Sequence, residues 1–104
     1  MKVIVTPFAQ QQIQETACHI QREFGKNYRR RFMQRIRETK QLLADNPHLG
    51  SIEPNLAGLS TTYRSIVVAR LNKMIYCIES DQIDIVDFWD VRRDPKALAA
   101  QVKE

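Results

Sequence analysis

The residues best suited to chemistry in this sequence are basic: Arg64, Arg70, Lys73, Arg92 and Arg93. Arg64 opens one β-like run, Lys73 opens the next, and Arg92-Arg93 close the last. In an antiparallel meander the end of one strand lies near the start of its neighbour, so the spacing predicts a cluster at one end of a sheet. Such a cluster can clamp phosphates and stabilise charge in a phosphodiester-cleavage transition state. An acid or base to work with it is missing, because arginine stays protonated in proteins. Lys73 and Tyr76 are the only substitutes, and Tyr76 reads more simply as a core aromatic. A plainer role is open for Arg93: pairing with Asp90 or Asp94 and fixing the chain end.

Other chemistries find little support. His19 and His48 are far apart and have no ligand-spaced cysteines or carboxylates, so no metal site is expected. No glycine-rich phosphate loop or dinucleotide motif is present, and no cofactor is expected. Ser51, Ser60, Ser65 and Ser80 have no paired histidine. Asp81, Asp84, Asp87 and Asp90 recur every third residue; a strand sends alternate members to opposite faces, so no paired-carboxylate site is expected. Cys18 and Cys77 fall in apolar patterns without CxxC spacing and read as core residues of a protein in a reducing compartment, hence cytoplasmic.

The elements that must position these groups follow from periodicity. Residues 2–6, KVIVT, read as a short β-branched strand stopped by Pro7. Thr6 can cap a helix with Pro7 in its first turn. Ile13, Ala17, Ile20 and Phe24 then form one apolar stripe, and Gly25 ends the helix. Asn27 can cap a second helix with Tyr28, Phe32, Ile36, Thr39, Leu42 and Leu43 on its apolar side, stopped by Asn46-Pro47. Two helices joined so closely form a hairpin that needs a sheet beneath it. Residues 48–60 read as a loop pinned by Ile52, Leu56 and Leu59. Strands follow at Tyr63–Ala69, Met74–Glu79 and Ile83–Val91, the last with Ile83 and Ile85 on one face, Val86 and Phe88 crossing to the other, near the middle of the sheet. The first strand must pair beside one of them.

The expected architecture is α+β, in the order β-α-α-β-β-β: a helical hairpin on a small, largely antiparallel sheet. At 104 residues the chain has room for one domain, residues 1–104. Its end, 95–104, is either a short helix or a loose, flexible tail whose fate depends on a bound partner. The apolar runs are too short to span a membrane, and the N-terminal stretch is not a signal peptide.

Charge is unevenly placed. Sixteen Lys and Arg stand against twelve Asp and Glu. Half of the basic residues lie between Arg22 and Lys40, including Arg29, Arg30 and Arg35. This run is either a solvated helix face or a docking surface for an acidic protein or a nucleic acid.

Taken in order, VIVTPFAQQQIQE, IRETKQLLADNPHLG, LAGLSTTYRSIV and NKMIYCIESDQIDIVDFWDVRRDP resemble the RelE/ParE toxin superfamily over almost the whole chain. The RRDP ending, Arg92 to Pro95, is most similar to the ParE-like branch and related plasmid-stabilisation proteins. The resemblance implies the toxin of a type II toxin–antitoxin system. RelE-like members cut messenger RNA on the ribosome, whereas ParE-like members poison DNA gyrase. Matched by motif, Arg64, Lys73, Arg92 and, beside it, Arg93 would carry cleavage in a RelE-type nuclease. However, Ile66 stands where a second lysine is expected and Leu98 near the position of a catalytic tyrosine. No histidine neighbours Arg92. These departures favour the gyrase-poisoning branch, with no catalytic residues. The partner implied is a cognate antitoxin, ParD-like or other, with an acidic C-terminal segment. Arg29, Arg30, Arg35, Arg64, Arg70, Arg92 and Arg93 are then expected to bind partners. Operator DNA would be reached only through the antitoxin.

Overall fold

A computed structural model describes residues 1–69 and 71–102. Strand β1 (Lys2–Val5) leads into helix α1 (Pro7–Phe24), then α2 (Lys26–Asp45). A two-residue strand β2 (Ser51–Ile52) and a 3-10 turn at Pro54–Leu56 precede β3 (Tyr63–Ala69), β4 (Asn72–Glu79) and β5 (Gln82–Asp90). Helix α3 (Pro95–Gln101) follows. The sheet order is β1-β5-β4-β3-β2, with β1 parallel to β5 and the other pairs antiparallel. The α+β class is as expected, and β5 is an interior strand between β1 and β4.

Thr6 caps α1, its Oγ1 accepting from Ala9 N at 3.2 Å, with Pro7 in the first turn. Ala9, Ile13 and Ala17, four apart, are buried along one line. Cys18 is one step, about 100°, round from Ala17 and is exposed, not in the core as expected. Gly25 takes φ +96° and joins both helices by itself, so α2 starts at Lys26 and Asn27 is not its cap. A side chain would be strained at that dihedral. In α2 the buried set is Phe32, Ile36, Thr39 and Leu43. Phe24, Tyr28 and Leu42, expected on the apolar stripes, are exposed. The rings of Phe24 and Tyr28 lie 5.7 Å apart, tilted by 48°, at the hairpin tip, beyond the buried set of either helix.

The hairpin covers one sheet face through Ile13, Phe32, Ile36 and Leu43 against Val68, Met74, Tyr76, Ile83, Ile85 and Phe88. The other face carries Tyr63, Ile75, Cys77 and Trp89, covered by Leu56 from the 3-10 turn and by Leu98 and Val102 at the chain end. Segment 48–60 is thus partly regular. Leu56 and Leu59 pin it as expected, whereas Ile52 is exposed.

A bulge decides the faces of β5. Tyr76 pairs with Ile85 but Ile75 with Asp87, leaving Val86 as the extra residue. Beyond it the alternation reverses. Phe88 therefore lies on the hairpin face with Ile83 and Ile85, contrary to expectation, while Val86 packs on the other. The same bulge puts Asp84, opposite Cys77, and Asp87, opposite Ile75, on one face. β1 reaches only as far as Ile85, and the uncovered Phe88 N donates instead to Gln12 Oε1 of α1 at 3.2 Å.

Candidate functional site

Arg64, Lys73 and the Arg92-Arg93 pair do not gather. Arg64 is opposite Tyr76, whereas Asp90, two residues before Arg92, is opposite Asn72. Residues 72 and 76 are four apart on β4, or roughly 13 Å along the strand. In a meander the first and third strands run the same way, so the start of β3 lies level with the start of β5 and not with its end. Alternation also separates the faces: Arg64 shares the hairpin side with Tyr76, and Lys73 the opposite side with Trp89. Arg70 lies outside the described residues.

Each described member of the set has a local task. Arg64 donates from Nη1 to Gly50 O at 2.7 Å. Its neighbour Tyr76 donates its phenol to Pro47 O at 2.8 Å and accepts from Gly50 N at 2.9 Å. Burial pushes this phenol up, against the lowering effects of the Gly50 hydrogen bond and the Arg64 charge. Together they fasten the segment after α2 to the sheet. Lys73 pairs with Glu53, whose side chain is fully buried. Burial pushes the Glu53 carboxyl up, but Lys73, the Asn55 amide and Ser65 outweigh it and hold it below 4.5. Sequence reading passed over Glu53, because a lone glutamate in a loop carries no period.

Arg92 grips Asp90 through Nε at 3.0 Å and Nη2 at 2.7 Å. This contact, more than any other, holds the Asp90 carboxyl below 3.8. Arg93 does not take the Asp90 or Asp94 pairing considered for it. Its guanidinium lies 4.2 Å from the centre of the Trp89 ring, and Nη1 is 3.5 Å from Gln101 Oε1. On the same sheet face Asp87 is fully buried and accepts Gln101 Nε2 on both oxygens. Burial pushes Asp87 above 3.8 despite that bond. Burial, with Asp84 and Glu79, pushes the Cys77 thiol up to about 11. It is an inert core thiol.

The basic residues of the hairpin split as well. Arg29 is half-buried between the helices, donating to Gln21 Oε1 at 2.8 Å and Gln14 Oε1 at 3.4 Å. Arg30 is exposed and touches Asn27 Oδ1 at 3.3 Å, and Arg35 reaches Val68 O at 3.4 Å. A groove of about 540 Å³ runs between α1 and the far ends of β4 and β5. Ile20, Phe24, Leu71 and Phe88 give it an apolar stretch, and Gln12, Glu15, His19, Asp90, Arg92 and Arg93 are among its polar lining. His48 lies by Arg64 in a second, more polar hollow. Among the described residues no three His, Cys, Asp or Glu side chains are grouped to hold a metal.

The sequence matches the family described as ParE toxin of type II toxin-antitoxin system, parDE, over residues 3–95. The chain belongs to the ParE toxin family. It is the toxin of a type II toxin–antitoxin system, and its partner is a cognate antitoxin. Two solved structures share the toxin's fold. The chromosomal ParDE toxin–antitoxin system from P. aeruginosa superposes with a TM-score of 0.71 at 17% identity, covering 88% of this toxin and 96% of that chain. The YoeB/ParE toxin from Agrobacterium tumefaciens gives 0.60 at 14% identity, covering 86% and 98%. No curated protein matches the toxin. Among its described residues, no helix is long and apolar enough to cross a membrane.

Proposed function

We propose that this toxin acts by binding and poisoning DNA gyrase, without cleavage chemistry of its own. The separation of Arg64 from Arg92 carries this reading. A phosphodiester-cleaving site needs its charge-stabilising groups around one phosphate, held within about 3 Å of the atoms they serve. Here Arg64 and Arg92 lie at different levels of the sheet, and Lys73 is committed to Glu53 on the opposite face from Arg64. A protein-binding toxin needs only an exposed surface, and Arg92 and Arg93 supply one at the end of β5.

The antitoxin would dock along the groove between α1 and the ends of β4 and β5. Its apolar side chains would meet Ile20, Phe24 and Phe88, and its carboxylates would meet Arg92 and Arg93. Arg35, at the β3 side of α2, would lie on the same partner's path.

Supercoiling by purified gyrase, with toxin added, tests the reading. Loss of supercoiling with accumulation of linear DNA is the expected result. Unimpaired supercoiling, with cleavage of messenger RNA on translating ribosomes, would overturn it in favour of a RelE-type nuclease.

A further inference from the structure

From Phe24 to Arg37 the hairpin carries six basic residues, Lys26, Arg29, Arg30, Arg31, Arg35 and Arg37, and no acidic one. Arg29 turns inward to Gln21 and Gln14 of α1. The other five are exposed: Lys26, Arg30, Arg31 and Arg37 on the sides of α2 away from Phe32 and Ile36, and Arg35 on the flank toward Val68 of β3. Among the described residues the ion pairs are Lys73–Glu53 and Arg92–Asp90. The arginines of α2 therefore take part in no ion pair among the described residues, whereas a merely solvated face gains from Glu/Lys pairs spaced four apart. At the tip, Phe24 is 62% and Tyr28 54% exposed, and the Arg31 guanidinium lies 5.5 Å from the Tyr28 ring centre.

We propose that this face of α2, with the aromatic tip, is a docking surface for the phosphate backbone of duplex DNA. Residues 26–37 span about 17 Å of helix. Phosphates recur every ~3.4 Å of duplex axis on each strand, so such a row meets several of them. The guanidinium groups suit phosphate oxygens, and the aromatic pair offers an apolar shoulder to the sugars. An acidic peptide would meet the same charge, and the test below separates it from duplex DNA. The surface adjoins the groove assigned to the antitoxin, sharing Phe24 with it and Arg35 with the antitoxin's path, while Lys26, Arg30, Arg31 and Arg37 lie outside both. It also departs from the expectation that DNA is reached only through the antitoxin, and it holds whether or not gyrase is the target.

The test is fluorescence anisotropy of a labelled 20-base-pair duplex of arbitrary sequence with the purified full-length toxin. Between 50 and 200 mM salt, binding through three to five phosphates weakens about 40- to 500-fold. Arg30→Glu with Arg37→Glu is compared with Lys2→Glu and Lys96→Glu, which remove the same charge from exposed sites elsewhere. Circular dichroism melting checks both folds. The proposal expects the α2 pair to weaken binding more than about tenfold and to lower the salt slope by about two. The control pair should do much less. Equal weakening by both pairs would overturn it, reducing the effect to net charge. A glutamate-rich peptide that needs Arg30 and Arg37, while the duplex ignores them, would overturn it in favour of a protein ligand.

Discussion

Gln101 of α3 donates its side-chain amide to both carboxylate oxygens of Asp87, at 3.0 and 2.7 Å, fastening the last helix to the middle of β5. Asp87 is completely buried, and burial raises its pKa above 3.8. Over the window from 3.8 up to that raised value the folded chain holds the proton longer than the unfolded chain. Stability contributed by this group is therefore full below 3.8 and falls as pH rises through the window. Asp87→Asn should abolish that falling component. Urea titrations of both proteins from pH 3 to pH 8 check it. An unchanged difference between them across the range would show that Asp87 does not titrate as described.

Glu53 and Lys73 predict an asymmetric pair of outcomes. Lys73→Met leaves a fully buried carboxylate without its cation and should cost about 3–5 kcal/mol. Glu53→Leu with Lys73→Met should recover most of that loss, because both charges then leave the interior. Denaturant midpoints of the single and double variants are the readout.

Gly50→Ala should be poorly tolerated. A Cβ there would stand 2.7 Å from Ser65 O and 2.8 Å from both Tyr76 Cε1 and its hydroxyl. Ser65 O is strand backbone and cannot move aside. Overpacking of this kind costs about 1–3 kcal/mol. Tyr76→Phe should lose a similar amount, since Gly50 N and Pro47 O lose their partner. Thermal melting of each variant measures it.

Leu98→Ala should destabilise the toxin by about 2–5 kcal/mol, because Leu98 is fully buried beside Leu56, Ile75 and Trp89. Limited proteolysis should then release the chain after Arg93 first. Protection equal to the parent's would show that α3 holds without this side chain.

Arg64→Ala and Arg92→Ala should each retain toxicity on induction in a bacterial host, within about threefold of the parent, if binding energy is spread over a surface. Plating efficiency is the measure, with melting curves to confirm the fold. Loss of killing in both folded variants would restore cleavage chemistry.

Much of this protein was written locally. Thr6-Pro7 start α1, Gly25 ends it, and the spacing of Ile13 and Ala17 with Phe32, Ile36 and Leu43 gives the hairpin its buried sides. These features depend on near neighbours in the chain, so sequence by itself determined the element order, the helical hairpin and the family resemblance. Where the basic residues ended up was decided by the tertiary structure. That β1 joins β5 in parallel, that Val86 bulges and reverses the faces of Asp87 and Phe88, and that Lys73 finds Glu53 twenty residues earlier all depend on pairing between distant segments. A one-residue bulge exchanges the faces of a strand, and no periodicity within β5 announces it. Arg64 and Arg92 stand apart for a simpler reason: β3 and β5 run the same way on either side of β4, so the start of one is not level with the end of the other.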